Sequence, residues 1–587
     1  MISDAPLTVD ASSAPRATTV ETVSRMSVYG LLLLGALMYN LYGAPEDWFS
    51  DEMTWVVERM QSTGTLDPQF FIYPGGLQIY ASLLLYKLYA LLFADGGGID
   101  KVALIAVARA VSAAFFILTV YFAERATCTI TGRAHDIKTV VLVGTSCALI
   151  HHAHIATVQS SNFFGIALAY FAIARTIVAR SPRAYYWAAF ACGIAVSAKW
   201  NGIFVGAALP FVYIYLFRPN LFQLIKGMVL TGLVSASAIL LLNPFIIFNF
   251  EKFKEDLFLA AAKEAPFYQV APPSLVTTLG YAAFYIQAFF TDYGAILVAA
   301  TVTAALAASV AYLVRQRADA SRPCLQVVER IIFFSGLILV STFVFLVIQT
   351  GLNIHQSRYY TPIGIAAALL FSLAVDTLLI LMMQWTRSRV LRASVVGLLT
   401  STVGLVLVLN VVNGIVHVAV FPLSAKYAAQ RHLETALRSN SDQTLLRLSY
   451  KTRTAARPDS AVCASRCDVL DLESLPRTRE VSTWDEYLVA IAERISTSRP
   501  SMIVGEELVF YWAFFVPTRF SGEYHRRLEY PNPGPEAWQK MFNDLGYAAP
   551  IVFPRITGLE EFSSIIGDKY LTTTEGIGGR VYVWKRR

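Results

Sequence analysis

The sequence predicts an all-α polytopic membrane bundle of about eleven transmembrane helices, followed by an extracytoplasmic α/β domain. Three observations predict it. Apolar residues make up 55% of the 587-residue chain and charged residues only 15%, a balance far from that of a water-soluble protein. Long apolar runs alternate with short charged ones up to about residue 417, the pattern of membrane spans. From 418 onward charged and polar residues become frequent, and no further run is long enough to span. Lipid offers the backbone no hydrogen bonds, so the runs are read as helices and not as open sheet. The expected divisions are therefore 1–25, 26–417 and 418–587.

Residues 1–25 are polar and rich in Ser, Thr and Ala, which predicts a disordered tail. The first apolar run, 31-LLLLGALMYNLYG-43, has no small-residue cleavage site after it and reads as an uncleaved signal-anchor helix. Helices are expected over 26–44, 102–124, 138–154, 160–178, 184–199, 202–217, 227–247, 293–313, 328–348, 359–383 and 391–415. Segment 77–93 is long enough for a twelfth span, but Lys87 and its repeated Tyr residues favour an amphipathic helix at the outer surface. A comparable helix is expected over 279–294.

Basic residues orient the bundle. Arg16 and Arg25 precede the first helix. Arg133 and Lys138, then Arg175, Arg180 and Arg183, then Arg218 and Lys226 fill alternate loops. Arg315, Arg317, Arg322 and Arg330 fill another, and Arg387, Arg389 and Arg392 the last. That side is expected to be cytoplasmic. The net charge of +7 thus reflects topology and not nucleic-acid binding. The N-terminus is expected in the cytoplasm, the chain in a bacterial inner (plasma) membrane, and the loop after the first helix and the tail from 418 outside.

The tail is long enough for an independent domain. Strand-like runs occur in 499-RPSMIVGEELVFYW-512 and 578-GGRVYVWKRR-587. Between them 535-PEAWQKMFNDLGY-547 has Pro near a helix start and stops at Gly546. Cys463 and Cys467 are spaced for a local disulfide, and two cysteines without further partners do not make a zinc site.

Candidate chemistry gathers at the outer ends of the helices. Asp51 and Glu52 sit in an acidic, aromatic loop just past the first helix. A carboxylate there can cap the helix that follows, take a proton from an acceptor hydroxyl, or hold a divalent ion such as Mg or Mn. In 150-IHHAHIATVQSSNFF-164, His151, His152 and His154 end one helix, and Ser160, Ser161 and Asn162 begin the next. Adjacent His151 and His152 point to different faces, which argues against a shared metal. Lys199, in 196-VSAKWNGIFVG-206, is the one charge between two apolar segments, with Trp200 beside it as an interfacial anchor. It either snorkels to the surface or pairs with a lipid phosphate. Arg358 is placed to anchor a helix or grip a phosphate, and Arg109 is similar. Segment 243–268 reads as a charged, aromatic outer loop able to close over a site. No Gly-rich phosphate loop is present, so an enzyme on this face would draw on an activated substrate carried by the membrane.

These residues resemble the polytopic glycosyltransferases of the GT-C fold that use polyprenyl-phosphate sugars, among them the protein O-mannosyltransferases and the lipid A aminoarabinose transferases. The resemblance covers about 26–415. It rests on Asp51-Glu52 followed by Tyr73-Pro74, on the Arg109 helix, on 152-HAHIATV-158, on 193-GIAVSAKWNG-202, and on Arg358-Tyr359 with Pro362. It implies Asp51 as the base with Glu52 as its partner, and Lys199 at the donor phosphate together with Arg358 and Arg109. Tyr73, His152, His154, Gln159 and Tyr359 then line the substrate. It also implies a lipid, protein or glycan acceptor and transfer with inversion. Where family members often carry an Asp after the ATV stretch, this chain has Gln159-Ser160, so a divalent cation is not required by the pattern. Two other classes compete. A transporter or flippase of a lipid-linked sugar predicts internal repeats and charges near the bilayer centre. A non-catalytic envelope assembly protein predicts that Asp51 is replaceable.

Overall fold

The computed structural model describes residues 19–41, 53–71, 74–93, 99–259, 274–290, 292–316, 323–352, 357–385, 388–423, 425–450, 453–454, 460–463, 466–471, 484–506, 534–553 and 581–587. Among these, nine helices are long and apolar enough to cross a membrane: Gly76–Phe93, Lys101–Thr131, Val158–Ala179, Trp200–Phe217, Leu221–Leu242, Tyr293–Val310, Gln326–Thr350, Tyr360–Met383 and Val390–Ile415. The eleven expected spans differ from these nine in identifiable ways. The described apolar part of the first helix, Met26–Leu37, is short, and that helix already begins at Thr19, inside the expected disordered tail. Pro182–Ala198 has 17 residues.

The expected span 138–154 is two helices, α5 (Ile137–Gly144) and α6 (Cys147–Ala153). The break at Thr145–Ser146 is packed on the last long helix. Asn410 Nδ2 donates to Leu142 O at 3.3 Å, and a Cβ on Gly414 would lie 2.6 Å from Thr145 O. Irregular backbone at membrane depth is tolerated where protein covers it, as here. Proline shapes two further runs. The expected 227–247 helix stops at Leu242, because Asn243 precedes Pro244 and is driven out of the helical region. The 202–217 run is interrupted at Ala207–Ala208, just before Pro210.

Helix α3 (Gly76–Phe93) qualifies as a span by length, yet its contacts fall on one part of α4 (Lys101–Thr131). Gln78 Nε2 donates to Ala108 O at 3.2 Å and to Ser112 Oγ at 3.1 Å. The Asp100 N–H donates to Tyr86 Oη at 2.9 Å. The helix therefore runs antiparallel to the first turns of α4, and the stretch of α4 beyond Ser112 is still about 30 Å long at about 1.5 Å per residue. The expected surface helix at 279–294 is instead Leu275–Phe290. Its Phe289 and Phe290 are buried in the main core, and a Cβ on Gly364 would meet the Phe289 ring.

The two ends of the bundle differ in chemistry. Phe115 stacks on Phe164 at 5.4 Å, and Phe122 meets Phe171 at 5.5 Å. Helices α4 and α7 (Val158–Ala179) thus run parallel. The loops after them, with Arg133, Lys138, Arg180 and Arg183, lie at one end, and residues 154–157 and 199–201 lie at the other.

At the Arg-rich end a polar network sits inside the bundle. Lys138 Nζ donates to Asp136 Oδ1 at 2.6 Å and to Asp376 Oδ1 at 3.1 Å. Arg133 also pairs with Asp376, and Thr139 and Ser372 donate to Asp136. Tyr29 OH donates to Glu124 Oε2 at 2.9 Å, which brings in the first helix. Burial alone would raise the Asp136 carboxyl, but Lys138, Ser372 and Thr139 outweigh it and hold that carboxyl below the ordinary range. The associated stability is present above the unfolded value of about 3.9 and is lost as pH falls through the lower folded value. Lys138→Met would leave Asp136 and Asp376, each 1% exposed at the side chain, without their shared ammonium. It should cost about 3–5 kcal/mol and lower the melting temperature in detergent, whereas Lys138→Arg should be milder. A melting temperature unchanged by the methionine would contradict this account of the network.

After Leu423 the chain forms a three-layer α/β domain. Strand β1 (Leu445–Tyr450) pairs in parallel with β3 (Cys467–Asp471) and with β4 (Met502–Glu506). Strand β6 (Val581–Lys585) lies antiparallel between β4 and β5 (Ile551–Phe553), and the short β2 (Arg453–Thr454) folds back on β1. Alternation sorts the side chains onto two faces. Met502, Val504, Val581 and Val583 pack with Ala429, Leu433 and Leu437 of the helix Ala425–Ser439. Ile503 and Trp584 pack with Ile491, Ile495 and Phe542 of the helices Trp484–Ser498 and Gly534–Asp544. The latter helix stops at Gly546, whose φ of +85° suits glycine. Cys463 and Cys467 form the local disulfide.

Candidate functional site

At the end opposite the Arg-rich loops, four helix termini and one loop are stitched together by backbone and amide hydrogen bonds. The C-terminus of α8 (Pro182–Ala198) is the centre. Gly75 N donates to Ala198 O at 3.2 Å. Asn243 closes the other side, its Nδ2 donating to Ser197 O at 3.1 Å and its Oδ1 accepting from Gly76 N at 3.0 Å. These bonds satisfy carbonyls that the end of α8 leaves open. The approach needs glycine at 76, because a Cβ there would lie 2.1 Å from Leu242 O. From α7, Asn162 Nδ2 donates to Ala195 O at 3.2 Å.

Lys199 follows directly and is 3% exposed. Its Nζ donates to Gln159 Oε1 at 3.1 Å, across from the first turn of α7. Three residues before Gln159, Ala156 O accepts from Met53 N at 2.8 Å. The first outer loop is therefore fixed at both ends of its described part, at Met53 against 156 and at Gly75 against 198. A second belt holds its middle. Phe71 N donates to Asp256 Oδ2 at 2.8 Å, Asn249 Nδ2 to Asp67 Oδ2 at 2.9 Å, and Lys252 Nζ pairs with Asp256 at 2.8 Å. The expected outer segment 243–268 thus begins as the helices Phe245–Phe248 and Phe250–Leu259, docked on this loop.

The sequence-derived residues divide into groups. Lys199 and Gln159 are joined directly. Arg109 is buried at 2% exposure, one position past Ala108, whose carbonyl holds Gln78. His154 lies in the connecting loop, and its Nε2 is 2.6 Å from Gly35 O of the first helix. His152 packs against the Phe163 ring at 5.6 Å, and its carbonyl accepts from Ser160 Oγ at 2.6 Å. Asp51, Glu52 and Tyr73 lie outside the described residues. Arg358 and Tyr359 begin the helix Ser357–Trp385, with side chains outside the described part. No group of three or more His, Cys, Asp or Glu among the described residues could hold a metal ion. Sequence reasoning missed Asn243 and Gln78. The Asn-Pro pair at 243–244 was a usable turn signal for the first, whereas nothing in the sequence marks the second.

The arrangement presents a buried ammonium at the end of the bundle, under a loop whose two anchors flank it. A buried ammonium of this kind suits an anionic head group.

No family model and no curated protein matches the chain. Among solved structures it is similar to ArnT from Cupriavidus metallidurans bound to undecaprenyl phosphate, at 12% identity and TM-score 0.44, covering 96% of this chain and 98% of that one. It is also similar to the Archaeoglobus fulgidus oligosaccharyltransferase in the apo form, at 10% identity and TM-score 0.46, covering 97% and 89%. These are resemblances of overall shape alone.

Proposed function

We propose that this chain transfers a sugar from a polyprenyl-phosphate donor to an acceptor hydroxyl, with inversion, on the face of the membrane opposite its Arg-rich loops. The observation that carries the reading is Lys199. A buried lysine at the outer end of a membrane bundle is expensive unless it serves a ligand. This one lies where the first outer loop returns to the bundle at both anchors. Met53, the first described residue of the outer loop, is hydrogen-bonded to Ala156, three residues before Gln159, the partner of Lys199.

In this reading the acceptor O–H attacks C1 of the sugar. The C1–O bond to phosphate breaks, and the lipid phosphate leaves with the electron pair. Lys199, with Arg358 and Arg109, offsets the charge that grows on the phosphate. Asp51 takes the acceptor proton, and Glu52 orients it. Tyr73, His152, Gln159 and Tyr359 line the substrates, and the phosphate leaving group needs no acid. A divalent cation at Asp51 is compatible with the scheme but no step depends on it. Loss of the gene should leave the sugar-bearing polyprenyl phosphate accumulating and one envelope glycan or lipid unmodified, as read by mass spectrometry. Unchanged profiles of both would refute the reading.

The orientation is tested separately. With the six native cysteines replaced, Ser62→Cys and Ser439→Cys should react in intact cells with an impermeant thiol reagent, and Ser181→Cys only after permeabilisation. Labelling of Ser181→Cys alone in intact cells would invert the topology.

A further inference from the structure

The turn after Lys199 carries polar atoms that none of the described residues pairs with. Trp200–Gly202 is a single 3-10 turn, closed by Gly202 N donating to Lys199 O at 2.9 Å. It is held tightly, since a Cβ on Gly202 would lie 2.4 Å from Ala195 O. Trp200 Nε1 and both amide atoms of Asn201, Nδ2 and Oδ1, are buried and have no hydrogen-bond partner among the described residues. The other amides at this end are committed: Asn162 to Ala195 O and Asn243 to Ser197 O and Gly76 N. Leaving a buried polar group unpaired costs about 1–3 kcal/mol, so three such atoms in consecutive residues call for a ligand that supplies their partners.

The chemistry of the three atoms narrows that ligand. Two are donors and one, Asn201 Oδ1, is an acceptor. An ionised phosphate accepts only and would leave Oδ1 unpaired. Hydroxyl groups both donate and accept, so a pair of neighbouring hydroxyls matches the Nδ2 and Oδ1 of one carboxamide. Asn201 is two residues from Lys199, hence at most about 7 Å away between Cα atoms, roughly the width of a sugar ring.

We infer that the Trp200–Asn201 turn is the sugar subsite of the donor whose phosphate Lys199 holds, with the Asn201 carboxamide reading two ring hydroxyls and the Trp200 indole N–H a further oxygen. This rests on the transferase reading above. Asn201 is then a residue that selects which lipid-linked sugar is used, separate from the group that binds the lipid phosphate.

The test compares bare undecaprenyl phosphate with undecaprenyl phosphate bearing mannose, glucose or arabinose, binding to the full chain in nanodiscs. The wild type should prefer at least one sugar-bearing lipid over the bare phosphate by about tenfold, as expected for two or three hydrogen bonds. Asn201→Leu should reduce that preference to less than about twofold while leaving affinity for the bare phosphate within about twofold. Asn201→Ala gives the same comparison should leucine not fit. Lys199→Met should weaken all the lipids alike. An Asn201 variant that keeps the wild-type preference, or loses bare-phosphate binding equally, overturns the subsite, as does a wild type that binds lipid phosphate without preferring any sugar. A wild type that binds none of the lipids overturns the transferase reading and the subsite with it.

Discussion

Lys199→Met is expected to weaken binding of a polyprenyl phosphate by about 10- to 100-fold, the range for losing a hydrogen bond to a charged group. Methionine keeps the length of the stem and removes only the ammonium. The fold should tolerate the change. Lys199 is 3% exposed and hydrogen-bonded to Gln159, so the drop in melting temperature should be small beside the loss of binding. A stable protein that no longer binds donor separates this lysine from one that anchors the helix at the interface. An anchoring lysine would show the reverse, with lower stability and normal binding. Normal affinity in a folded Lys199→Met protein would remove Lys199 from the donor site.

Much of the bundle was legible because lipid permits few solutions. Apolar runs between basic loops become helices, and the two basic loops after α4 and α7 fall at one end, as the parallel packing of those helices shows. What escaped was local. The break at Thr145–Ser146 lies inside a run apolar throughout, and it depends on Asn410 and Gly414, which are far away in sequence. The core strand Leu445–Tyr450 was not expected, since its leucines and Arg447 lack the β-branched signature of strands. The stops at Asn243 and Gly546 follow local rules, of which only the second was read. At the site, Lys199 stood out as a lone charge between apolar segments. Nothing in the sequence ties it to its partner Gln159, because the link between the two is a contact across two helices. The histidines of the cluster part company in the fold, His154 against Gly35 O and His152 against the Phe163 ring, which adjacency in sequence does not reveal.

The central claim is that a carboxylate in the first outer loop drives transfer beside Lys199. Asp51→Asn keeps shape and removes charge, so the protein should fold and bind the lipid phosphate as the wild type does. Its transfer rate should fall by about 10²–10⁴, the usual contribution of a general base. Glu52→Gln should be milder if Glu52 only orients its neighbour. Because Met53 is tied to Ala156 by the backbone, neither change disturbs the anchor that brings the loop to the site. The direct measurement is single-turnover transfer from a synthetic polyprenyl-phosphate sugar by purified wild type and Asp51→Asn in nanodiscs, with lipid-phosphate binding measured on the same samples. The account predicts unchanged binding and a rate lowered by at least about 10². A rate close to wild type at equal binding would contradict it.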